Sequence, residues 1–135
     1  MLKSLIITHG KLGEELIRVA EKILEKKSDI DCMGFDWQED GSVIINKLES
    51  YLNKNKQHQI IIFTDMFGGS PSNICLPYIN PNVEVITGIN LPGMLKFLTY
   101  KDKNLKFKEL VKTIKKGTIE GINVIGEYLG EKTYD

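Results

Sequence analysis

The sequence predicts an α/β protein: an open, mainly parallel sheet of order 2-1-3-4, covered by helices on both faces. Three observations carry that expectation. Short apolar runs suited to strands alternate with segments whose apolar residues recur every three or four positions. The connections between them are short, as where a strand crosses through a helix to a parallel neighbour. Ile60, Ile61, Ile62 and Phe63 form an unbroken apolar run, which suits a strand buried on both faces.

The elements follow in order. Leu2 to Thr8 is the first strand, closed by His9-Gly10. Leu12, Leu16, Val19, Ala20, Ile23 and Leu24 then mark one face of a helix. Asp29 to Phe35 reads as the second strand. Ser42 to Leu52 is a helix with Val43, Ile44, Leu48, Tyr51 and Leu52 at helical spacing and Ser42 as its N-cap. Gln59 to Thr64 is the third strand. After the loop from Asp65 to Gly69, Ser70 and Pro71 suit an N-cap followed by proline in the first turn, and Pro77 should end that helix within two turns. Val83 to Thr87 is the fourth strand, Asn90 opens a helix to about Tyr100, and Phe107 to Ile119 forms another. Gly117, Gly121 and Gly126 break the remaining pattern, each costing about 1 kcal/mol in a helix relative to alanine. Ile122, Val124 and Ile125 lie among them, so a short fifth strand is expected over Gly121 to Ile125, needing some edge to pair with.

At 135 residues, one domain over residues 1–135 is expected. Apolar residues at 41% and charged residues at 27% are ordinary for a soluble globular chain. Lys plus Arg equals Asp plus Glu at 18 each, which gives no basic field for nucleic acid or anionic lipid. No stretch approaches the roughly 18 apolar residues of a membrane span, and Met1 to Ile7 lacks the features of a signal peptide. Cys32 and Cys75 stand apart, with neither CxxC spacing nor a nearby His, and are expected as buried free thiols rather than zinc ligands. A cytoplasmic protein with no metal, cofactor, nucleic-acid partner or direct membrane insertion is the expectation.

In open α/β sheets, ligands bind beyond the carboxyl ends of the strands, where the strand order reverses. With order 2-1-3-4, the first and third strands straddle that point. The residues just past them are His9 and Asp65, 56 positions apart in sequence yet neighbours in such a sheet. A carboxylate that accepts from one imidazole nitrogen leaves the lone pair of the other facing outward and stabilises positive charge on the ring. An Asp–His pair is therefore an activated nucleophile. Gly68-Gly69-Ser70 at a helix start offers close backbone approach, free N–H groups and a hydroxyl for phosphoryl oxygens. No lysine or metal motif makes it a Walker-type nucleotide site.

Each part has an ordinary alternative. His9 could be a loop or core histidine, Asp65 a turn residue, Gly68-Gly69 a tight connection and Ser70 only a cap. The coincidence of all four at adjacent strand ends favours chemistry. His58, among Asn53, Lys54, Asn55, Lys56, Gln57 and Gln59, reads as solvated surface. Phe35 and Trp37 either border the site or pack a loop.

Three segments together resemble the IIA component of mannose-family (mannose/fructose/sorbose) sugar phosphotransferase systems, a type-4-like IIA domain. They are Thr8-His9-Gly10, the run from Asp65 through Gly68-Gly69-Ser70-Pro71-Ser72-Asn73, and Gly88-Ile89-Asn90-Leu91-Pro92. The resemblance runs through essentially the whole chain. It implies a cytoplasmic phosphocarrier whose histidine, here His9, accepts phosphate from phospho-HPr on Nε2. His9 would then pass it to a IIB component for sugar uptake. Asp65 matches the aspartate that orients the imidazole, and Ser70 the serine near the phosphoryl group. The family implies a homodimer exchanging a C-terminal strand, which would give the Gly121 to Ile125 segment its partner. Two features depart from the pattern. Many relatives carry a IIB domain behind an Ala/Pro-rich linker, and Met66-Phe67 stands where some have a Thr-Trp-like pair. A separate IIB protein or a regulatory role is then expected. The alternatives to transport are a binding module controlled by His9 phosphorylation, a phosphocarrier subunit of a dihydroxyacetone kinase, and a flavodoxin-like cofactor binder.

Overall fold

In the computed structural model, which describes residues 1–130, four strands form one parallel sheet in the order β2-β1-β3-β4. They are β1 (Leu2–His9), β2 (Asp31–Phe35), β3 (Gln59–Thr64) and β4 (Val83–Ile86). This is the predicted order. The last five residues of the expected 1–135 domain lie outside the described residues. The helices are α1 (Leu12–Leu24), α2 (Gly41–Lys54), α3 (Ser70–Asn73), α4 (Leu91–Tyr100), α5 (Phe107–Glu120) and α6 (Ile125–Tyr128), with a 3-10 turn at Leu76–Tyr78.

The apolar run of β3 explains the layering. Its residues alternate between faces, so Ile61 and Phe63 point to one side and Ile60 and Ile62 to the other. On the first side they meet Ala20 of α1, Met94, Phe97 and Leu98 of α4, and Leu110 and Ile114 of α5. Phe63 and Phe97 pack edge to face with ring centroids 5.0 Å apart. On the second side they meet Ile44 and Leu48 of α2. Burying each such side chain contributes about 1.5–3 kcal/mol, which is why the central strands are the least negotiable part of the fold.

Local chemistry sets the element ends. Asn90 caps α4 as expected, its Oδ1 accepting the Gly93 N–H at 2.8 Å. The same side chain donates from Nδ2 to the Thr118 carbonyl at 2.9 Å, tying α4 to α5. The cap of α2 is Asp40 rather than Ser42; its side chain accepts the Ser42 N–H. Gly69, not Ser70, caps α3, which places Ser70 at the first helical position and Pro71 at the second. On α1, Leu12 and Ile23 are exposed, while Gly13 is buried and Ile17 packs on the core, so the buried face is rotated from the expected one.

Three expectations need correction. The fifth strand is absent among the described residues. Gly121 ends α5, its missing side chain allowing contact with Pro92, where a Cβ would lie 2.5 Å from the ring. Beyond it the chain makes local bonds instead, Tyr128 N–H to the Val124 carbonyl at 2.9 Å and Leu129 N–H to that of Ile125 at 3.0 Å. A strand would have needed a neighbouring edge for those groups. Cys32 is exposed, because β2 is an edge strand; only Cys75 is buried. Burial pushes the Cys75 thiol up to about 12, so it stays protonated at neutral pH. His58 is half-buried at the start of β3 rather than solvated, with Nδ1 covered, and it sits at the opposite end of that strand from Asp65.

The α4–α5 contact makes a direct prediction. A Cβ at Gly93 would collide with Thr118 Oγ1, whereas one at Gly41 meets nothing within 4 Å. Gly93→Ala should destabilise by about 1–3 kcal/mol through overpacking. Gly41→Ala should be neutral or slightly stabilising. Urea unfolding of the two variants checks this; equal midpoints would contradict the packing described.

Candidate functional site

The site begins with strand register. β1 and β3 pair side by side, with Ile7 opposite Thr64, so the residues that follow emerge together at the carboxyl edge. There, the His9 backbone N–H donates to Asp65 Oδ2 at 2.9 Å, and His9 Nδ1 lies 2.7 Å from the same oxygen. An ionised carboxylate can only accept, so Nδ1 carries the proton and Nε2 of the neutral ring keeps its lone pair. Burial pushes the Asp65 pKa up, but the bonds from the His9 backbone and ring outweigh it and hold the carboxyl below the usual 3.8. Among the described residues, Oδ1 of Asp65 is buried with no hydrogen-bond partner. The side chains are 26% and 10% exposed, which leaves the imidazole open and its partner covered.

The loop after Asp65 is held by a relay of hydroxyls. Ser72 Oγ donates to the Met66 carbonyl at 2.5 Å, and Thr64 Oγ1 lies 2.6 Å from Ser72 Oγ. Ser72 has one hydroxyl proton, so Thr64 is the donor to it. Asn73 Nδ2 adds a bond to the Gly68 carbonyl at 3.3 Å. Gly68 has φ of 81°, a conformation that favours glycine. A Cβ at Gly69 would lie 3.0 Å from His9 Cε1, so this loop backbone touches the imidazole edge. Gly68 and Ser70 flank Gly69 without a hydrogen bond to His9, and Ser70 is exposed. Thr64 and Ser72 were missed as site residues, because a threonine ending a strand and a serine in a first helical turn look ordinary in sequence.

β2 closes the other side. His9 pairs with Phe35 across β1 and β2, and the Gly10 N–H donates to the Phe35 carbonyl at 2.9 Å. A Cβ at Gly34 would lie 2.5 Å from the Gly10 carbonyl oxygen, so glycine there is required by the close approach. Phe35 lies 6.5 Å from His9 between ring centroids, tilted by 36°. Trp37 stacks on it at 5.3 Å and 21°. Both residues thus border the site, which the sequence left open. A cleft of about 580 Å³ beside them is lined by Lys11, Glu14, Phe35, Asp36, Trp37 and Glu39, among others. Met66 and Phe67 are exposed on the loop. Among the described residues, no group of three or more His, Cys, Asp or Glu could hold a metal ion, and no helix is long and apolar enough to cross a membrane.

Several known proteins are similar to this chain. The chain is 29% identical over 121 residues to the "PTS system mannose-specific EIIAB component" of Escherichia coli K12, and equally to that of Shigella flexneri. The match covers 87% of this chain but 38% of those relatives, so the chain aligns with little more than a third of their length. Among solved structures, it resembles the mannose/sorbose specific IIA subunit of a phosphotransferase system from Enterococcus faecalis. That likeness has a TM-score of 0.82 at 19% identity, covering 90% of this chain and 92% of that one. Phosphotransferase system component EIIA from Streptococcus agalactiae gives 0.80 at 20% identity, over 94% and 99%. Structural likeness at such identities shows the fold. The sequence model described as "PTS system fructose IIA component" matches residues 3–115, a span that reaches all four strands and includes both His9 and Asp65. The chain with the histidine at its sheet edge therefore belongs to that family of phosphotransferase-system IIA components.

Proposed function

We propose that the chain is a phosphocarrier in which His9 takes a phosphoryl group from phospho-HPr and passes it to a IIB component for sugar uptake. The observation that carries this is the 2.7 Å contact of His9 Nδ1 with Asp65 Oδ2, which leaves Nε2 as the free nucleophile. The Nε2 lone pair forms a new N–P bond while the donor's N–P bond breaks, and the donor imidazole takes back its electron pair. The Nδ1 proton stays on His9, bonded to Asp65, which offsets the positive charge gained by the ring. Gly69 lies against the imidazole with Gly68 and Ser70 on either side of it in the chain, and the N–H groups of this segment and the Ser70 hydroxyl suit phosphoryl oxygens. α3 has only four residues, so local donors matter here more than a helix dipole.

The HPr and IIB partners, the cytoplasmic location and the reading of residues 1–135 as a phosphocarrier domain belong to the same proposal. A homodimer is part of it. Ile122, Ile125, Tyr128 and Leu129 are exposed by 60–80%, apolar surface of the kind a second copy would cover.

Incubation with phosphoenolpyruvate, the first enzyme of the system and HPr should add one acid-labile phosphate to the wild type and none to His9→Ala. Equal labelling of the variant would sink the role of His9. Asp65→Asn should fold but accept phosphate at least about tenfold more slowly, since the amide can leave the imidazole in the wrong tautomer. The depressed Asp65 pKa also fixes a sign. Its contribution to stability is complete above the unfolded value near 3.8 and is lost as pH falls through the lower folded value. Urea midpoints should therefore drop more steeply below about pH 4 in wild type than in Asp65→Asn; parallel curves would contradict it. Sedimentation should show a dimer that Ile122→Lys converts toward monomer, and a wild-type monomer would remove that part of the proposal.

A further inference from the structure

Trp37 is the one tryptophan of the chain, and at 78% exposure it gains little from burial. It is nevertheless seated against His9, with ring planes 21° apart. Its perch is built from both ends. Upstream, Phe35 is in register with His9 and its carbonyl accepts the Gly10 N–H. Downstream, Asp36 Oδ1 accepts the Gln38 N–H at 3.0 Å and the Asp36 carbonyl accepts the Glu39 N–H at 3.2 Å, after which Asp40 caps α2. A Cβ placed on Gly10 would have the indole Nε1 as its neighbour at 3.7 Å, so the ring lies over the backbone next to His9.

We propose that Trp37 is a positioning residue for the reaction at His9, holding the plane of the imidazole so that Nε2 faces the incoming phosphorus. This rests on the phosphocarrier function proposed above. The Asp65 bond fixes one atom of the ring but permits it to swing about that contact. Gly69 bounds the ring at Cε1, and Trp37 covers a face. Neither the Asp65 bond at Nδ1 nor the Gly69 contact at Cε1 occupies Nε2, and the side chain is 26% exposed. The indole face is also electron-rich and attracts the positive charge that develops on the ring as the N–P bond forms. Such stacking shifts rates by about two- to tenfold.

Two measurements on the intact chain test this. Because there is no other tryptophan, intrinsic fluorescence reads Trp37 alone. The imidazole against the indole should alter its emission, so His9→Ala should change the intensity or wavelength of Trp37 fluorescence, and identical spectra would overturn the stacking. The second measurement is phosphorylation by phospho-HPr. Trp37→Ala should lower the maximal rate about three- to tenfold with the KM for the donor unchanged, and Trp37→Phe should restore most of it. A rise in KM alone would make Trp37 a docking residue, and unchanged kinetics would leave it no part in the reaction; either overturns the proposal. If wild type takes no phosphate while its emission still responds to His9→Ala, the phosphocarrier function fails and the contact itself stands.

Discussion

The parallel pairing of β1 with β3 is the constraint on which the rest depends. It is secured by residues with no chemistry of their own: Leu5, Ile6 and Ile7 on one strand and Ile60 to Phe63 on the other, all buried. A slip of one residue would turn the apolar set of each strand to the wrong helix layer, so the register is strongly specified. Because that register is fixed, His9 and Asp65 leave the sheet at the same level and need no loop to find one another. The geometry of the proposed nucleophile is thus a by-product of core packing.

What the sheet positions, the loop then restrains. The Thr64–Ser72–Met66 relay holds the backbone after Asp65, and Gly69 is in turn set against the imidazole. Asp65 is 10% exposed, yet the bonds from the His9 backbone and ring hold its carboxyl below the usual range despite that burial, so the carboxylate stays charged beside the imidazole.

The features legible in sequence were those set by pattern over several residues. The continuous apolar run of β3 implied burial on both faces, the Asn90-Leu91-Pro92 start implied a capped α4, and strand order implied the meeting of His9 with Asp65. The features missed depend on contacts that pattern does not encode. Gly121 to Ile125 has strand-like composition, but strand formation needs a partner edge, and without one local bonds produced the turn of α6. Cys32 looks like a core residue until β2 proves to be the edge. The Thr64–Ser72 bond joins two unremarkable hydroxyls. Trp37 could have packed a loop or bordered the site, and only the turn after β2 decides between them.

The surroundings of His9 bear on what it could react with. A small substrate is best served by an enclosed pocket that buries most of its surface. Here the imidazole stands partly exposed at a sheet edge, between Trp37 on one side and Met66 and Phe67 on the other, all three open to solvent. Aromatic and methionine side chains are those enriched where proteins meet. Held by Asp65 at Nδ1 and bounded by Gly69 at Cε1, yet 26% exposed, the ring is restrained where orientation matters and accessible where a partner must reach it. A phosphoryl group that arrives on another protein needs that combination, because donor and acceptor atoms must approach within bonding distance while both remain attached to bulky folds. The open edge of the sheet thus supports exchange between proteins over turnover of a free small molecule.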